Sequence, residues 1–249
     1  MTDPSPKSHQ KNFISRIPFY YGWIILVVAA LATFISGPGQ TYSISLFIEP
    51  IRKELGLTLT EIAGLYTVGS LTAAVIVVFI GKLIDTLGTR IMTVSIAVIF
   101  GASTLWMSTV SNSLELLPGF IALRTFGQGA LGLITSTLIA IWFIRYRGKA
   151  MAITMLGSSG GRAILPPVNH LLIMTFGWRQ TWQVFTGAIW FLFLPLALLL
   201  IRTSPESIGL MPDGEKFTSN LDGKKISIPR VPLHPSWKLQ EAMRTQAFW

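Results

Sequence analysis

Residues 81–90 read GKLIDTLGTR, a short charged turn between two long uncharged runs, 62–81 and 91–114. Each run has the length, about 20 helical residues, that crosses the hydrocarbon core of a membrane. The pattern recurs along the chain, with further runs at 17–48, 116–144 (broken only by Arg124), 150–178 (broken only by Arg162) and 180–201. Because a helix is the only open-ended backbone that satisfies its own amides in lipid, the sequence predicts an all-α polytopic membrane protein with six transmembrane helices.

The distribution of charge supports this prediction and orients the chain. Only 12% of the residues are charged, about half the fraction in a soluble domain, and 20 Lys and Arg face 11 Asp and Glu. With a cytoplasmic N-terminus, fifteen Lys and Arg lie in inside segments and three lie outside: Arg52, Lys53 and Arg179. This bias follows the positive-inside rule. We therefore expect a multi-pass protein of the inner (plasma) membrane, with the lipid bilayer and not nucleic acid as its partner.

Four segments follow from the composition: a cytoplasmic lead at 1–17, a six-helix bundle at 18–201, a linker at 202–240 and the start of a seventh span at 241–249. The first run is too long for a signal peptide and contains Pro38 between glycines. Six helices, a long loop and a new helix are typical of transporters built from two six-helix halves. We expect a missing C-terminal half as partner; a truncated, non-transporting half is the alternative.

The opening turn carries a recognisable spacing. Gly81, Asp85, Gly88 and Arg90 fit Gly-x-x-x-Asp-x-x-Gly-x-Arg, although Ile91 stands where another basic residue often follows. This signature resembles that of the major facilitator superfamily, and RTFGQGALG, with Arg124, Gln128 and Gly129, resembles a second family motif. Glycine permits close helix approach and a tight turn, and Asp85 can accept from basic side chains. The resemblance implies that these four residues serve a cytoplasmic gate that breaks when two bundles rock.

Five further stretches resemble the monocarboxylate and oxalate/formate branch of that superfamily: YYGWII, SLFIEPIRKELGLT, RYRGKAMAI, GWRQTW and SPESIGLMPDG. The resemblance implies one half of a twelve-helix fold that carries small organic anions by alternating access, as a symporter or antiporter. It implies no catalysis, cofactor or metal. An exporter of other small molecules is an alternative, although the Gly-Pro motif of drug antiporters is absent from the fifth run.

The residues support an anionic substrate independently. The runs contain Arg124, Arg162 and His170 but no Asp or Glu. Intramembrane charge is costly and normally faces protein or water, and guanidinium pairs with carboxylate in a bidentate manner. We predict a substrate site formed by Arg162, with Gln40, Arg124 and Asn169 as further candidates. His170 is a possible proton-linked residue. The alternative for Arg162 is a bond to helix carbonyls that proline has freed.

Glycine and proline predict where helices are interrupted or packed closely. Gly37-Pro38-Gly39 interrupts a polar stripe of the first run, formed by Thr33, Ser36, Gln40 and Ser43. Pro166 and Pro167 predict a break near the centre of the fifth run, on a face shared by Ser158, Ser159, Asn169 and His170. Gly157 and Gly161 have the small-x-x-x-small spacing that favours tight helix packing.

An intramembrane protease is a rival hypothesis because GSSG at 157–160 fits the Gly-x-Ser-Gly of rhomboid proteases. Such a serine needs a histidine within hydrogen-bond reach. Ser159 and His170 would lie about 16 Å apart along one helix, at 1.5 Å per residue. The sequence therefore argues against this dyad.

Overall fold

The computed structural model describes residues 19–214, and every regular element among them is helical. Its six long helices are α1 (Gly22–Glu54), α2 (Leu59–Leu87), α3 (Thr89–Thr109), α4 (Ser113–Trp142), α5 (Arg147–Phe176) and α6 (Trp178–Leu200). Five are long and apolar enough to cross a membrane; α5 has the length, at 30 residues, but a more polar composition. The predicted all-α, six-helix architecture is confirmed. The predicted lead at 1–17 and seventh span at 241–249 lie outside the described residues.

Four helices form a row, in which α2 packs on α4, α4 on α1 and α1 on α5. Helices α3 and α6 pack against each other and against α4 and α1, so they cover one side of the row. Buried aromatic side chains fill the space between, and Phe47 of α1 stacks on Trp182 of α6 with ring centroids 4.4 Å apart. The other side of α1 and α4 is exposed at Val27, Thr41 and Gln128.

Helix α1 is interrupted where the sequence predicts. It runs from Gly22 to Ile35, turns through a 3-10 segment at Gly37–Gly39, and resumes at Thr41. Between the two parts Gln40 is extended, with φ −85° and ψ 149°. Pro38 cannot donate a backbone bond and the flanking glycines relax the backbone, which explains the break.

Helix α5 differs from the prediction. It continues from Arg147 to Phe176 with Pro166 and Pro167 inside it, so the expected break is absent. Two prolines remove two N–H donors, but in transmembrane helices neighbouring helices and local adjustments tolerate that loss.

The helix ends are set by local chemistry. Thr58 and Glu61 form a reciprocal capping box at the start of α2, and the Asn112 side chain caps α4. Gly88 has φ +82° and Gly177 has φ +86°, a region that glycine enters without strain. The turn predicted at Gly88 is thus confirmed, and Gly88 is the single residue between α2 and α3.

The start of the predicted linker at 202–240 is packed on the bundle. The Thr89 hydroxyl donates to the Thr203 carbonyl at 3.3 Å, and backbone N–H groups of residues 144–146 donate to the Asp213 side chain. Residues 202–214 of the predicted linker therefore make specific contacts with the bundle. Residues 215–240 lie outside the described part.

Candidate functional site

Three helices meet at the break in α1. A side chain at Gly39 would overlap the carbonyl oxygen of Leu123, and its Cβ would lie 2.8 Å from the Cα of Gly127 on α4. On the other flank, a Cβ at Gly161 of α5 would lie 2.9 Å from the Tyr42 hydroxyl oxygen. The contacts bring the centres of α1, α4 and α5 to one level, about midway along each helix.

Arg162 lies at this level, directly after Gly161, and is exposed. Its guanidinium group forms no hydrogen bond or ion pair with any residue among 19–214, so the alternative in which it bonds freed carbonyls is not seen there. A cation held near the middle of a membrane helix without a protein partner is costly unless water or an anion meets it.

Gln40 and Gln128 accompany Arg162 around the break. Gln40 is half-buried, and its side-chain nitrogen donates to the Ser36 hydroxyl at 3.2 Å. Gln128 is exposed, and its backbone nitrogen would lie 3.1 Å from a Cβ on Gly39. The structure therefore places Gln40 within the break and Arg162, the other predicted site residue, at the same level on α5, and it adds Gln128 on α4.

Arg124 lies one turn from Gln128 and is held by the protein. Its Nη1 donates to the Thr41 hydroxyl at 3.1 Å, and its guanidinium carbon lies 5.4 Å from the ring centre of Tyr66. The Tyr66 hydroxyl bonds the same Thr41 oxygen at 3.2 Å. Arg124 thus joins α4 to α1 and α2, which is a structural use of its charge.

Asn169 is fully buried, at 0% exposure, and lies apart from Arg162. Its Nδ2 donates to the Ser43 hydroxyl at 2.7 Å, while its Oδ1 has no partner among the described residues. The helical face that Asn169 shares with Arg162 is covered near its outer end by the second part of α1. In this conformation Asn169 links α5 to α1 and is closed to a substrate.

The polar stripe of α1 is also largely internal. The Thr33 hydroxyl donates to carbonyls of Ala30 and Thr154, at 2.8 and 3.1 Å. Of the α5 residues, Ser159 and His170 are exposed and lie on one uninterrupted helix, which keeps them apart as the sequence argument requires.

The predicted gate residues occupy the predicted turn, but the side chains of Asp85 and Arg90 do not bond each other. The Asp85 carboxylate is exposed and makes no hydrogen bond or ion pair within residues 19–214, whereas Arg90 Nη2 donates to the Leu198 carbonyl at 3.2 Å. A Cβ on Gly81 would meet the Leu133 side chain at 3.5 Å, an ordinary contact. Close helix approach at Gly81 is therefore not required in this conformation.

Arg90 belongs to a set of groups that cap α6. The last carbonyls of that helix accept from three side chains: Leu198 from Arg90, Leu200 from the Tyr21 hydroxyl at 2.8 Å, and Ile201 from Arg202 at 3.3 Å. Basic groups at a helix C-terminus also oppose the negative end of its dipole. Part of the gate signature thus stabilises the bundle itself.

Sequence reasoning passed over Gln128 and Tyr42 as site residues. Gln128 was visible as a motif position, but the π-helical segment at Leu123–Ala130 that presents it has no simple sequence signal. Such segments occur often at functional sites. Tyr42 reads as an ordinary aromatic residue, and only its contacts with Gly37 and Gly161 reveal its position.

An open groove of about 540 Å³ lies elsewhere, along the outer part of α2. None of the predicted site residues lines it. The lining is mainly apolar and consists of Leu59, Thr60, Ala63, Gly64, Thr67 and Val68. A site for the predicted anion would need charged or polar partners, so the groove does not replace the residues at the α1 break as the candidate site.

Comparison with known proteins adds independent evidence. A family profile described as Major Facilitator Superfamily matches residues 29–249. The chain is 24% identical over 231 residues to a probable L-galactonate transporter of Escherichia coli (strain K12), covering 91% of this chain and 48% of that protein.

Two further relatives are at the same level of similarity. The riboflavin transporter RibJ of Trypanosoma brucei brucei is 24% identical over 84% of this chain and 39% of that protein. The probable sulfoacetate transporter SauU of Cupriavidus necator is 25% identical over 74% of this chain and 42% of that protein. The chain thus spans about half the length of these relatives, or less.

Proposed function

The chain belongs to the major facilitator superfamily, and from that premise we propose that it forms the N-terminal half of a secondary transporter of small organic anions. Such carriers expose a central site alternately to each side of the membrane. A second six-helix bundle would complete the cavity against the uncovered side of α1 and α4. The chain is a multi-pass membrane protein, and we place it in the inner (plasma) membrane with a cytoplasmic N-terminus because of its positive-inside bias.

The anion proposal rests on the exposed guanidinium group of Arg162, which has no partner among the described residues. Arg162 supplies an exposed positive charge midway along α5, and no Asp or Glu lies near the centre of any described helix. An anion entering this site gains a bidentate partner, whereas a cation would meet an uncompensated charge. Two relatives are named for L-galactonate and sulfoacetate, which are both carboxylates, and this agrees with the electrostatic argument.

Gln40 and Gln128 would orient the substrate beside Arg162. Amide side chains donate and accept hydrogen bonds, which suits carboxylate oxygens and hydroxyl groups alike. Arg124 and Asn169 were further candidates, and their contacts with Thr41 and Ser43 support a positioning role for both. His170, exposed two turns from Arg162, is the proposed proton-linked group.

The proposed gate rests on the different contacts of Arg90 and Asp85 at the α2–α3 turn. Arg90 is engaged with α6, so Asp85 remains the exposed group that a partner bundle can bind. We expect Asp85→Asn to weaken the closed state and His170→Gln to reduce the pH dependence of uptake. Uptake by whole cells at several pH values measures both, and unchanged profiles would remove these two residues from the mechanism.

The decisive test uses the full-length gene product in cells, with labelled galactonate, sulfoacetate and riboflavin as cargo. We expect uptake of a carboxylate by the wild type, loss of about tenfold or more with Arg162→Ala, and partial recovery with Arg162→Lys. Arg147→Ala is the matched control, because Arg147 is an exposed arginine at the end of the same helix.

Two outcomes contradict the proposal in different ways. If the Arg162→Ala variant takes up the carboxylate as fast as the wild type does, the site lies elsewhere, while anion transport itself is not contradicted. Uptake of riboflavin with no uptake of either carboxylate would overturn the substrate class.

A further inference from the structure

The segment that follows α6 carries a carboxylate bound by backbone amides. The Ile144 and Arg145 N–H groups donate to Asp213 Oδ2 at 2.9 and 2.6 Å, and the Tyr146 N–H donates to Oδ1 at 3.2 Å. Three successive N–H groups that converge on one anion form a nest, a concave anion site made by the main chain. Here the anion comes from the same chain, 67 to 69 residues away.

The position of Asp213 is conformationally specific. Its φ is +59°, and it is the one non-glycine residue with positive φ among residues 19–214. Asp tolerates this left-handed region better than most residues. The turn therefore aims the carboxylate at the nest at little cost in strain.

The electrostatic surroundings also favour an anion at this point. Arg145, Arg147 and Lys149 follow one another along the loop and first turn of α5, and all three are exposed. None forms an ion pair with Asp213 within 4 Å, so the bonds to the main chain hold the carboxylate while the basic residues add a positive field.

We propose that Asp213 is an intramolecular clasp that fixes the segment 202–214 to the α4–α5 loop, so that this segment moves with the six-helix bundle. Hydrogen bonds hold the segment at both ends, at Thr203 beside the α2–α3 turn and at Asp213 beside the start of α5, and Ile208 and Leu210 between them pack against the hydrophobic core. The clasp determines where the connection leaves the bundle, against α1 and α4, two of the helices that meet at the candidate site. It does not depend on which substrate is carried.

Hydrogen–deuterium exchange tests the clasp directly. Residues 144–146 are exposed, and their amides are protected in this structure by Asp213. For the purified chain in nanodiscs, we expect Asp213→Asn to speed exchange in the peptide covering residues 143–149 by about tenfold, because charge-assisted bonds are replaced by weaker ones. Cleavage by trypsin after Arg202 and Arg145 should accelerate together.

Two further variants make the result specific. Asp213→Gly keeps the positive φ without strain but removes both oxygens, so it should match or exceed the effect of Asp213→Asn. Glu206→Gln neutralises another exposed carboxylate of the same segment, and it should exchange like the wild type. Exchange in a peptide within α3 serves as the control for folding.

The proposal is overturned if Asp213→Asn and Asp213→Gly leave exchange at 143–149 unchanged. It is equally overturned if Glu206→Gln raises exchange as much as Asp213→Asn does, because the effect would then come from net charge and not from the clasp.

Discussion

Three arginines of the bundle, Arg90, Arg124 and Arg162, differ in what their guanidinium groups contact. Arg90 donates to a carbonyl at the end of α6, and Arg124 bonds Thr41 and lies over Tyr66. Arg162 has no such partner among residues 19–214. Two charges are thus used to hold helices together, and the third remains available to a ligand.

Asn169 and Ser43 provide a test at the same scale. Asn169→Ala removes a buried donor and leaves the Ser43 hydroxyl without that partner, so we expect a loss of about 1 kcal/mol in stability. A double-mutant cycle with Ser43→Ala, measured by unfolding in detergent, should show that the two effects are not additive. Additive losses, or lost uptake with unchanged stability, would instead support substrate binding by Asn169.

The roles of individual residues were only partly predictable from sequence. The position of Arg162 near the middle of α5 could be predicted from its spacing to the charges at both ends of that run, and the turn at Gly88 could be predicted from its motif. The partners of Arg124 could not be predicted, because Thr41 lies 83 residues away and Tyr66 lies on a third helix. Likewise, helical periodicity places Asn169 on the face of Arg162 but does not reveal that α1 covers it.

At the scale of elements, the contact between α1 and α5 depends on glycine. A side chain at Gly157 would overlap the Ala30 carbonyl oxygen, and a Cβ on Gly161 would lie 2.9 Å from the Tyr42 hydroxyl oxygen. The predicted tight packing at this pair is confirmed.

Helix breaks were less predictable from the sequence. Gly37-Pro38-Gly39 interrupts α1, whereas Pro166-Pro167 leaves α5 continuous. The difference arises because packing around a proline decides whether a helix breaks.

Gly157 and Gly160 form a matched pair for testing the contact between α1 and α5. We expect Gly157→Ala to destabilise the bundle by about 1–3 kcal/mol, because the added carbon forces α1 and α5 apart. Gly160→Ala should be neutral or slightly stabilising, since its Cβ would meet Phe34 at 3.8 Å and alanine favours helix. Thermal unfolding of both variants in nanodiscs measures the difference, and equal melting temperatures would contradict the contact.

At the scale of the whole molecule, orientation in the membrane rests on charge distribution. The chain has no cysteine, so single cysteines can report which side a residue faces. Leu114, which is 83% exposed in the first turn of α4, should be outside, and Thr203, after α6, should be inside.

We therefore expect Leu114→Cys to react with a membrane-impermeant maleimide in intact cells, and Thr203→Cys to react only after permeabilisation. Parallel labelling of permeabilised cells controls for the reactivity of each thiol. The reverse pattern would invert the proposed topology while leaving the fold unchanged.

The break in α1 has a mechanical consequence. Gln40 is extended, so each part of α1 keeps its own ladder of hydrogen bonds, and each part is 14 residues long. That length, about 21 Å at 1.5 Å per residue, is two-thirds of the hydrocarbon thickness. The angle between the two parts can therefore change through the torsions of one residue, once the bonds of Thr41 and Ser43 to α4 and α5 are released. Such a change would move one end of the bundle without unwinding either part of α1.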